Sequence, residues 1–463
     1  MQNTQELWYF IKSQMMELKN ISNTDKSTLS IASNVLLMGF EYKRTIINNM
    51  KKLTEVDGFN AWRHKESADL SNIVQKRLQY LQHPADCKNA KKIVSTISYF
   101  CGFGCQMHHL VHGMILAYGL ERTLILESTD WSYHQGGWNK VFMPISNSCT
   151  TIDNAKTVNW PGNNNATAIR VEAYTDIIPR SQYMPLAVPE DLVDRLKTIH
   201  GNPVVWWIGQ ILKYIWKLHP ITTAYINNYM KKFGIKYPFV GVQIRRTDKL
   251  IGEAQYFSIE QYMDVVDEYY NSMEIKNNLT KRRIYIGTED YNVIVETKAK
   301  YPHYEILYNK NLPKIPNVEL AHMYDNVFDV ILDLHIQAYS DLLVCTFSSN
   351  ICRLIYTLIQ NNYVDASAKA ISLDTVYWYY QQEHNKRRAI LSHKAESSTE
   401  IDLKAGDIVN ITEYGLNGYS FGTNLRTKKE GWYPSFKVEM EIERVKFPNY
   451  SKINSKETTF QLN

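Results

Sequence analysis

"YPFVGVQIRRTDK", residues 237 to 249, joins an apolar run to two adjacent arginines. The run at residues 237–240 is apolar, and Val242 and Ile244 continue it past Gly241 and Gln243, which is typical of a strand buried on both faces of a parallel sheet. Arg245 and Arg246 follow at the carboxyl end of that strand, where parallel sheets bind their ligands. The stretch therefore predicts an α/β fold with a charged site at this strand end.

Two arginines beside a buried strand need a negatively charged partner. A surface ion pair is the plainest use of them. A guanidinium group also binds two phosphate oxygens at once, which a lysine cannot do, and the buried context favours this second use. Neighbouring strand residues point to opposite faces. We therefore expect one arginine to bind a diphosphate and the other to brace the loop, on Asp248 or Asp333.

Strand and helix patterns alternate on both sides of this stretch. The earlier series reads "KKIVSTISYF" (strand), "CGFGC" (glycine loop), "QMHHLVHGMILAYGL" (helix) and "RTLILEST" (strand). The later series continues with "SIEQYMDVVDEYY", "RRIYIGT", "YEILY", "VFDVILDLHIQAY", "DLLVCTF" and "NICRLIYTLIQ". Alternation of this kind predicts parallel sheets with crossover helices. We predict a two-lobed α/β core, with one lobe at residues 86–236 and a nucleotide-binding lobe at 237–394.

The flanking segments have different patterns. Residues 1–85 carry apolar positions at helical spacing, which fits either packing on the next domain or pairing with a second copy, and the periodicity does not separate the two. Residues 395–446 show short alternating strands broken by Gly and Asn. "KAGD" and "GWYPSFKV" within them resemble the signature of SH3 domains. A C-terminal tail, 447–463, completes the chain.

The composition limits the class of protein and its compartment. The 463 residues are 44% hydrophobic, as in a globular protein, and 52 Lys and Arg against 47 Asp and Glu give a net charge of +5, too small an excess to indicate nucleic acid. No apolar run is long enough to span a membrane. Six cysteines together with N-glycosylation sequons at Asn20, Asn165, Asn278, Asn410 and Asn449 favour a lumenal or extracellular compartment. The first residues lack the features of a signal peptide, so a targeting segment is expected upstream of this chain.

The stretch "CGFGCQMHH", residues 101 to 109, has two interpretations. Cys101 and Cys105 with His108 and His109 could hold zinc, although a Cys-x3-Cys spacing suits few structural zinc sites. A disulfide that fixes the glycine loop is the interpretation we favour. Glu289 and Asp290 are adjacent in sequence, and such a pair is weak evidence for magnesium.

Taken together, the motifs resemble those of the eukaryotic α-1,6-fucosyltransferases, which add fucose to the core of N-glycans. The segments that carry the resemblance are "VGVQIRRTDK", "YIGTED", "ILDLHIQAYSDLLVCTFSSNICR", "NWPGNN", "YMPLAVPEDLVDRL", "WWIGQILKYI" and the SH3 signature, in a chain that matches from "LWYFIKSQMMELKN" onwards. The resemblance implies a GT-B-like two-lobed core with a Rossmann-type lobe, and inverting transfer of L-fucose from GDP-β-L-fucose without a divalent metal or other cofactor. It also implies a Golgi type II membrane protein, anchored upstream of this chain and dimeric through its N-terminal helices.

The resemblance also assigns roles to individual residues. Arg245 is the arginine on the β-phosphate of GDP-fucose, Arg246 its companion, and Asp333 the carboxylate that reads the guanine edge. The other residues assigned to the donor are Gln243, Thr288, Glu289, Asp290, Ser348, Ser349, Asn350, Tyr133, Gly102, Phe103 and Gly104. The turn before "NICRLIYTLIQ" suits this role independently, because a helix N-terminus binds phosphate through its free N–H groups.

The remaining assignments concern catalysis, the acceptor and the disulfides. Glu253 is assigned as the general base for the acceptor hydroxyl, with Lys249 beside it and Arg245 as the third catalytic residue. Asp248, Asp374 and His384 are assigned to the acceptor. The implied disulfides are Cys87–Cys149, Cys101–Cys105 and Cys345–Cys352. These roles agree with the chemistry, because inverting transfer needs one proton acceptor and positive charge on the departing diphosphate.

The chain departs from the family pattern at several positions. Gln243 replaces a histidine beside the nucleotide, and Phe103 replaces a tyrosine. Gly415 replaces a histidine near the acceptor, and Asn350 replaces a glutamine. Ser95 and Gly113 replace two further cysteines. Two alternatives therefore stay open: a fucosyltransferase for another acceptor, such as a chitin oligosaccharide, or a catalytically silent lumenal glycan-binding or SH3 protein.

Overall fold

We analysed a computed structural model of the chain. It describes residues 2–21, 24–97, 101–152, 156–163, 165–171, 178–246, 255–274, 281–312, 327–379 and 385–450. The chain forms two compact units, each built from separate stretches of sequence. One unit comprises residues 1–65, 374–377 and 383–442, and the other comprises residues 66–373, 378–382 and 443–463.

Three helices begin the chain: α1 (Gln2–Asn20), α2 (Lys26–Val56) and α3 (Phe59–Gln82). Helix α1 packs along α2, where the ring of Trp8 lies against Gly39 so closely that a Cβ there would be 2.9 Å from it. Asp25 caps α2 by accepting a hydrogen bond from the Thr28 N–H at 3.0 Å. The helical pattern predicted at the start of the chain is thus present in the structure, as three helices.

The first sheet of the larger unit contains β1 (Lys92–Thr96), β2 (Thr123–Glu127), β3 (Thr157–Asn159) and β4 (Ala168–Val171) in the order β2-β1-β4-β3, all parallel. Helix α4 (Phe103–Gly119) connects β1 to β2 and is buried throughout its length. It begins at Phe103, so part of the predicted glycine loop is already helical and Gly102 is its N-cap. Beyond this sheet lie β5 (Ala187–Pro189) and the helices α5 (Glu190–Ile199), α6 (Pro203–Ile215) and α7 (Pro220–Phe233).

The second sheet contains β6 (Val240–Gln243), β7 (Arg283–Gly287), β8 (Glu305–Leu307), β9 (Leu342–Cys345) and β10 (Ala370–Ser372). The helices between these strands are α8 (Ile259–Met273), α9 (Tyr291–Lys300), α10 (Val327–Ala338) and α11 (Asn350–Ile359). All four strand pairs are parallel, in the order β10-β9-β6-β7-β8. The strand predicted from "FVGVQIR" is β6, and its four residues are buried on both faces.

The smaller unit contains an antiparallel barrel of β11 (Lys386–Ala389), β12 (Ile408–Tyr414), β13 (Tyr419–Asn424), β14 (Glu430–Pro434) and β15 (Val438–Met440). Helix α1 packs on it, with the rings of Phe10 and Tyr419 6.1 Å apart and Ser13 Oγ donating to the Asn417 carbonyl. Strand β11 lies upstream of the boundary predicted at residue 395. Strand β16 (Glu443–Val445) pairs instead with β5 of the larger unit, so the barrel ends before the predicted residue 446.

Candidate active site at the carboxyl ends of the second sheet

The strand order of the second sheet locates the candidate site. Read in chain order, β6 to β10 are arranged 3-2-1-4-5, so the chain reverses direction across the sheet between β6 and β9. Parallel sheets bind ligands at such a switch point, outside the carboxyl ends of the two strands. Arg245 follows β6 and the Ser348–Ser349 turn follows β9. The structure therefore brings together two groups of predicted donor-binding residues that are a hundred positions apart in sequence.

The two arginines have different surroundings, as the strand alternation predicted. The Arg245 side chain retains 24% of its exposure, with its Nε 3.4 Å from Glu289 Oε1. Arg246 is more buried and donates to Glu296 at 2.9 Å and to the Phe257 carbonyl at 3.4 Å. Its guanidinium also lies over the Tyr256 ring at 4.7 Å.

Arg246 is thus the bracing arginine, but Asp333, one of its two expected partners, was wrong. Its described carboxylate partner is Glu296 of α9, and Asp333 makes its described hydrogen bonds with Tyr285 and Gln337 instead. Asp248, the other expected partner, lies outside the described residues. The more exposed Arg245 is the arginine better placed to bind a ligand.

Two helix N-termini meet next to this strand end. Ser349 is the N-cap of α11 and Gly102 the N-cap of α4, and neither cap position has a side-chain hydrogen bond to its helix. A Cβ on Gly104 would lie 2.9 Å from the carbonyl carbon of Asn350, so the two helix ends approach each other backbone to backbone. Free N–H groups and helix dipoles favour an anion at such ends. This geometry suits the predicted diphosphate.

Asp333 is held in a buried polar network under the strand ends. Its Oδ1 accepts from the Tyr285 hydroxyl at 2.8 Å and its Oδ2 from Gln337 Nε2 at 2.9 Å. Burial raises the pKa of Asp333 to about 7, even though both hydrogen bonds act to lower it. One helical turn earlier, Asp329 accepts from Tyr225 at 2.8 Å and from Asn309 at 2.9 Å. Asp333 is therefore a rigid acceptor whose charge changes near neutral pH.

Gln337 is a site residue that the sequence reasoning missed. Its amide nitrogen donates to Gln243 Oε1 at 2.7 Å as well as to Asp333. The three side chains surround Gly287, where a Cβ would lie 2.2 Å from Gln337 and 2.3 Å from Gln243. The spacing of four residues between Asp333 and Gln337 on one helix was the available signal, because such residues share a face.

The segment after β7 supplies the third edge of the site. Thr288 is buried, and its hydroxyl accepts from the Asp290 N–H at 3.1 Å. Asp290 caps α9 by accepting from the Asn292 N–H, and Glu289 accepts from the Arg246 N–H at 3.2 Å. Glu289 thus contacts both arginines of the strand end.

From the first lobe, Tyr133 and Phe103 belong to an aromatic cluster. Their rings meet edge to face at 5.3 Å, and Phe103 also contacts Trp131 and Trp216. Phe103 is 3% exposed, so its side chain offers little surface to a nucleotide sugar. Its backbone lies at the N-terminus of α4, one of the two helix ends of the candidate site.

The six cysteines form the three bonds that the resemblance implied: Cys87–Cys149, Cys101–Cys105 and Cys345–Cys352. Cys101, Cys105 and His109 have ligand atoms within 4.8 Å of one another. However, a disulfide sulfur is not the thiolate that binds zinc, so the bonded pair does not provide a zinc ligand set. The bonds at residues 101–105 and 345–352 flank the N-termini of α4 and α11 respectively.

Four assigned residues lie outside the described part of the chain: Asp248, Lys249, Glu253 and His384. Asp374 is described and belongs to the smaller unit, where its Oδ1 accepts from the Thr375 N–H at 2.6 Å.

A cavity of about 920 Å³ lies at the amino ends of β1 and β2 in the first sheet. Tyr80, Trp160 and Tyr450 are among its lining residues, and none of the predicted site residues is. The chemistry of the strand ends, rather than the volume of this cavity, therefore identifies the candidate site.

Comparisons with known proteins place the chain in a family. The family described as "Alpha-(1,6)-fucosyltransferase N- and catalytic domains" matches residues 1–379. The chain is 41% identical over 454 residues to the alpha-(1,6)-fucosyltransferase of Drosophila melanogaster, covering 97% of this chain and 73% of the relative. It is 31% identical over 449 residues to that of Caenorhabditis elegans, covering 96% and 78%. The chain therefore belongs to the alpha-(1,6)-fucosyltransferase family of glycosyltransferases, which confirms the resemblance seen in the sequence.

Among solved structures, the alpha-1,6-fucosyltransferase NodZ soaked with GDP-fucose matches 58% of this chain and 92% of its own, at 11% identity and a TM-score of 0.38. A value below 0.5 does not establish a common overall fold.

Proposed function

We propose that the chain transfers L-fucose from GDP-β-L-fucose to O6 of the innermost N-acetylglucosamine of N-glycans, with inversion and without a divalent metal. The observation that carries the proposal is the convergence at one switch point of Arg245 and the N-termini of α4 and α11. Family membership supplies the reaction class, and these groups supply the positive potential that a nucleotide diphosphate donor needs.

The donor is expected to lie across the carboxyl ends of β6 and β9. Asp333 in its ionised form accepts hydrogen bonds, and the N1–H and N2–H of guanine are donors of matching spacing. Arg245 and the N–H groups at the start of α11 bind the diphosphate. Gln243 and Gln337 fix the Asp333 carboxylate and so contribute to nucleotide binding through it.

The chemistry requires one bond to form and one to break at the anomeric carbon. The acceptor O6 attacks C1 of fucose from the face opposite the diphosphate, which inverts the configuration and breaks the bond from C1 to the β-phosphate oxygen. We assign the proton of O6 to Glu253, with Lys249 beside it. The charge that develops on GDP is stabilised by Arg245 and by the two helix N-termini. In this arrangement the cationic groups of the chain serve where other transferases use a metal.

The family resemblance also leads us to propose a GT-B-like lobe arrangement and Golgi residence, with a membrane anchor upstream of residue 1. Within the described residues, no helix is both long and apolar enough to cross a bilayer. We further propose a homodimer through the N-terminal helices. Large apolar side chains lie exposed along them, among them Leu7, Ile31, Leu37, Leu53 and Val56. Such a stripe is suited to burial against a second copy.

The test is an endpoint transfer assay with GDP-fucose, a GlcNAc-terminated biantennary glycopeptide and excess EDTA. We compare wild type, Arg245→Ala and Glu253→Gln, with Arg282→Ala as a matched control. Arg282 directly precedes β7 and so lies at the amino end of that strand, away from the carboxyl ends, where it pairs with Asp267 and Glu274. The expected result is a mass gain of one fucose on the core GlcNAc by wild type and the control, and its loss in both other variants.

GDP binding, measured separately by calorimetry, distinguishes the possible failures. Wild type that binds GDP but transfers nothing to this glycopeptide would overturn the acceptor and favour another, such as a chitin oligosaccharide, or a silent binding protein. Wild type that fails to bind GDP would overturn the assignment of Arg245. Transfer that EDTA abolishes would contradict the metal-independent mechanism.

A further inference from the structure

A side-chain contact between α4 and α11 joins the two lobes where the N-termini of these helices meet. His108, in the second turn of α4, has its Nδ1 3.1 Å from Oδ1 of Asn350, the first residue of α11. Arg353 donates to the same Asn350 oxygen at 2.6 Å. An arginine can only donate, so this atom of Asn350 is the acceptor oxygen. His108 must then carry its proton on Nδ1 and donate as well.

These two donors fix the orientation of the Asn350 amide. With Oδ1 held by both lobes, the Nδ2 group points away from them, and it makes no hydrogen bond within the described part of the chain. The side chain remains half-buried rather than fully enclosed. Asn350 follows the Ser348–Ser349 turn directly, so its amide group lies at the N-terminus of α11, the helix end expected to bind the diphosphate.

We propose that His108 is a positioning residue for donor binding: its Nδ1–H holds Asn350 so that the Asn350 amide nitrogen donates to the diphosphate of the nucleotide sugar. The inference rests on the proposed function. The inference extends the proposed function, because His108 is not one of the residues assigned to the donor and acts on Asn350 from α4, in the opposite lobe. It also gives the Asn350 departure from the family glutamine a physical meaning, since the shorter side chain reaches its support on α4.

The surroundings of His108 maintain a single tautomer. The imidazole is 5% exposed, meets the Tyr379 ring edge to face at 4.7 Å, and has a buried Nε2 with no hydrogen-bond partner in the described structure. The Tyr379 hydroxyl donates to the His108 carbonyl at 3.2 Å. Burial, with Arg353 next to it, lowers the pKa of His108 well below its usual value. A neutral, enclosed ring of this kind is preorganised as a one-sided donor.

Two nearly isosteric variants test the donor position. Asparagine at residue 108 offers an amide donor near the place of Nδ1, whereas glutamine offers one near Nε2. We expect His108→Asn to bind GDP within about 2-fold of wild type, and His108→Gln and His108→Ala to bind roughly 10-fold more weakly, the loss of one hydrogen bond. His112→Gln is the matched control, because His112 lies one turn further along α4 and its Nδ1 lies 2.8 Å from the His108 carbonyl oxygen rather than from Asn350.

A double-mutant cycle shows whether His108 acts through Asn350. If it does, His108→Ala has no further effect on GDP binding or on KM for GDP-fucose once Asn350→Ala is present, while the melting temperature still responds to both changes. Effects that multiply in the double variant, or a His108→Asn variant as impaired as His108→Ala, would overturn the inference alone. A wild type without GDP affinity would overturn it together with the proposed function.

Discussion

Replacing Asp333 by asparagine should stabilise the protein at alkaline pH while it abolishes tight donor binding. Burial raises the pKa of this carboxyl group from 3.8 to about 7. Each pKa unit corresponds to about 1.4 kcal/mol, so keeping the folded carboxylate ionised costs about 4 kcal/mol relative to the unfolded chain. Because the folded pKa is raised, the contribution of this group to stability is fully present below pH 3.8 and is lost as the pH rises through about 7.

The Asp333→Asn variant would keep the shape of the side chain without a charge. Its amide oxygen can accept from Gln337 Nε2, and its NH2 group can donate to the Tyr285 hydroxyl, which would accept instead of donating. The gain in stability of Asp333→Asn over wild type should therefore be about 2 kcal/mol at pH 5.5 and about 4 kcal/mol at pH 8. Chemical denaturation at both pH values measures it through the shift of the transition midpoint. Asp365→Asn is the opposite control. Burial acts to raise the pKa of Asp365, but His200 and hydrogen bonds from Ser367 and Gly201 lower it overall. Replacing Asp365 should therefore destabilise the protein at neutral pH.

The affinity for GDP should be lower in Asp333→Asn than in wild type, although the variant is the more stable protein. Guanine needs an acceptor carboxylate, so the GDP affinity of wild type should fall as the pH drops below about 7, the folded pKa of Asp333. The affinity of Asp333→Asn should be low and independent of pH over the same range. A stability difference that does not change between pH 5.5 and 8 would refute the reasoning about burial. Unchanged GDP affinity in the variant would refute the role in guanine recognition.

The remaining predictions concern close contacts and metal removal. Gly104→Ala should lower the melting temperature and weaken GDP binding, because its Cβ would lie 2.9 Å from the Asn350 backbone. A Cβ on Gly102 would meet no described residue beyond its chain neighbours within 4 Å, so Gly102→Ala should leave the melting temperature unchanged; equal effects of the two changes in thermal unfolding would contradict this. Gly287→Ala should weaken GDP binding in calorimetry, because its Cβ would displace Gln337 and Gln243 from contacts of 2.2 and 2.3 Å; wild-type affinity would count against it. Dialysis against EDTA should leave the transfer rate unchanged, and restoration of lost activity by Mg²⁺ would contradict the metal-free mechanism.

The strand pattern was sufficient to predict the α/β core, because fully buried parallel strands such as β6 are marked by largely apolar runs that contain β-branched residues. It also predicted that Arg245 and Arg246 would have unequal roles. It did not predict Glu296 as the partner of Arg246, because that contact depends on the packing of α9 rather than on sequence distance. The contact between His108 and Asn350 spans 242 residues, and only the tertiary structure brings the two together.

The two limits of the barrel were predicted less accurately than its strands, because strand pairing rather than composition sets them. Composition changes near residue 395, yet β11 begins at Lys386, because a short strand rich in Lys and Arg does not resemble its apolar neighbours in the barrel. Similarly, β16 follows the barrel in sequence but pairs with β5. Pairing partners across sheets are set by tertiary contacts, which a composition boundary does not report.

The packing of α1 on the barrel has a consequence for biosynthesis. Ser13 and Asn417 are in contact although 404 residues separate them, so the first helix leaves the ribosome long before its partner strands are translated. At typical elongation rates of about 5 to 20 residues per second, the delay is roughly 20 to 80 s. During that time Phe10 and its neighbours lack the barrel surface that covers them in the finished protein, and must be protected by α2, by a second nascent chain or by a chaperone. A premature stop before β13 would therefore leave a newly made chain with an uncovered helix at its opposite end.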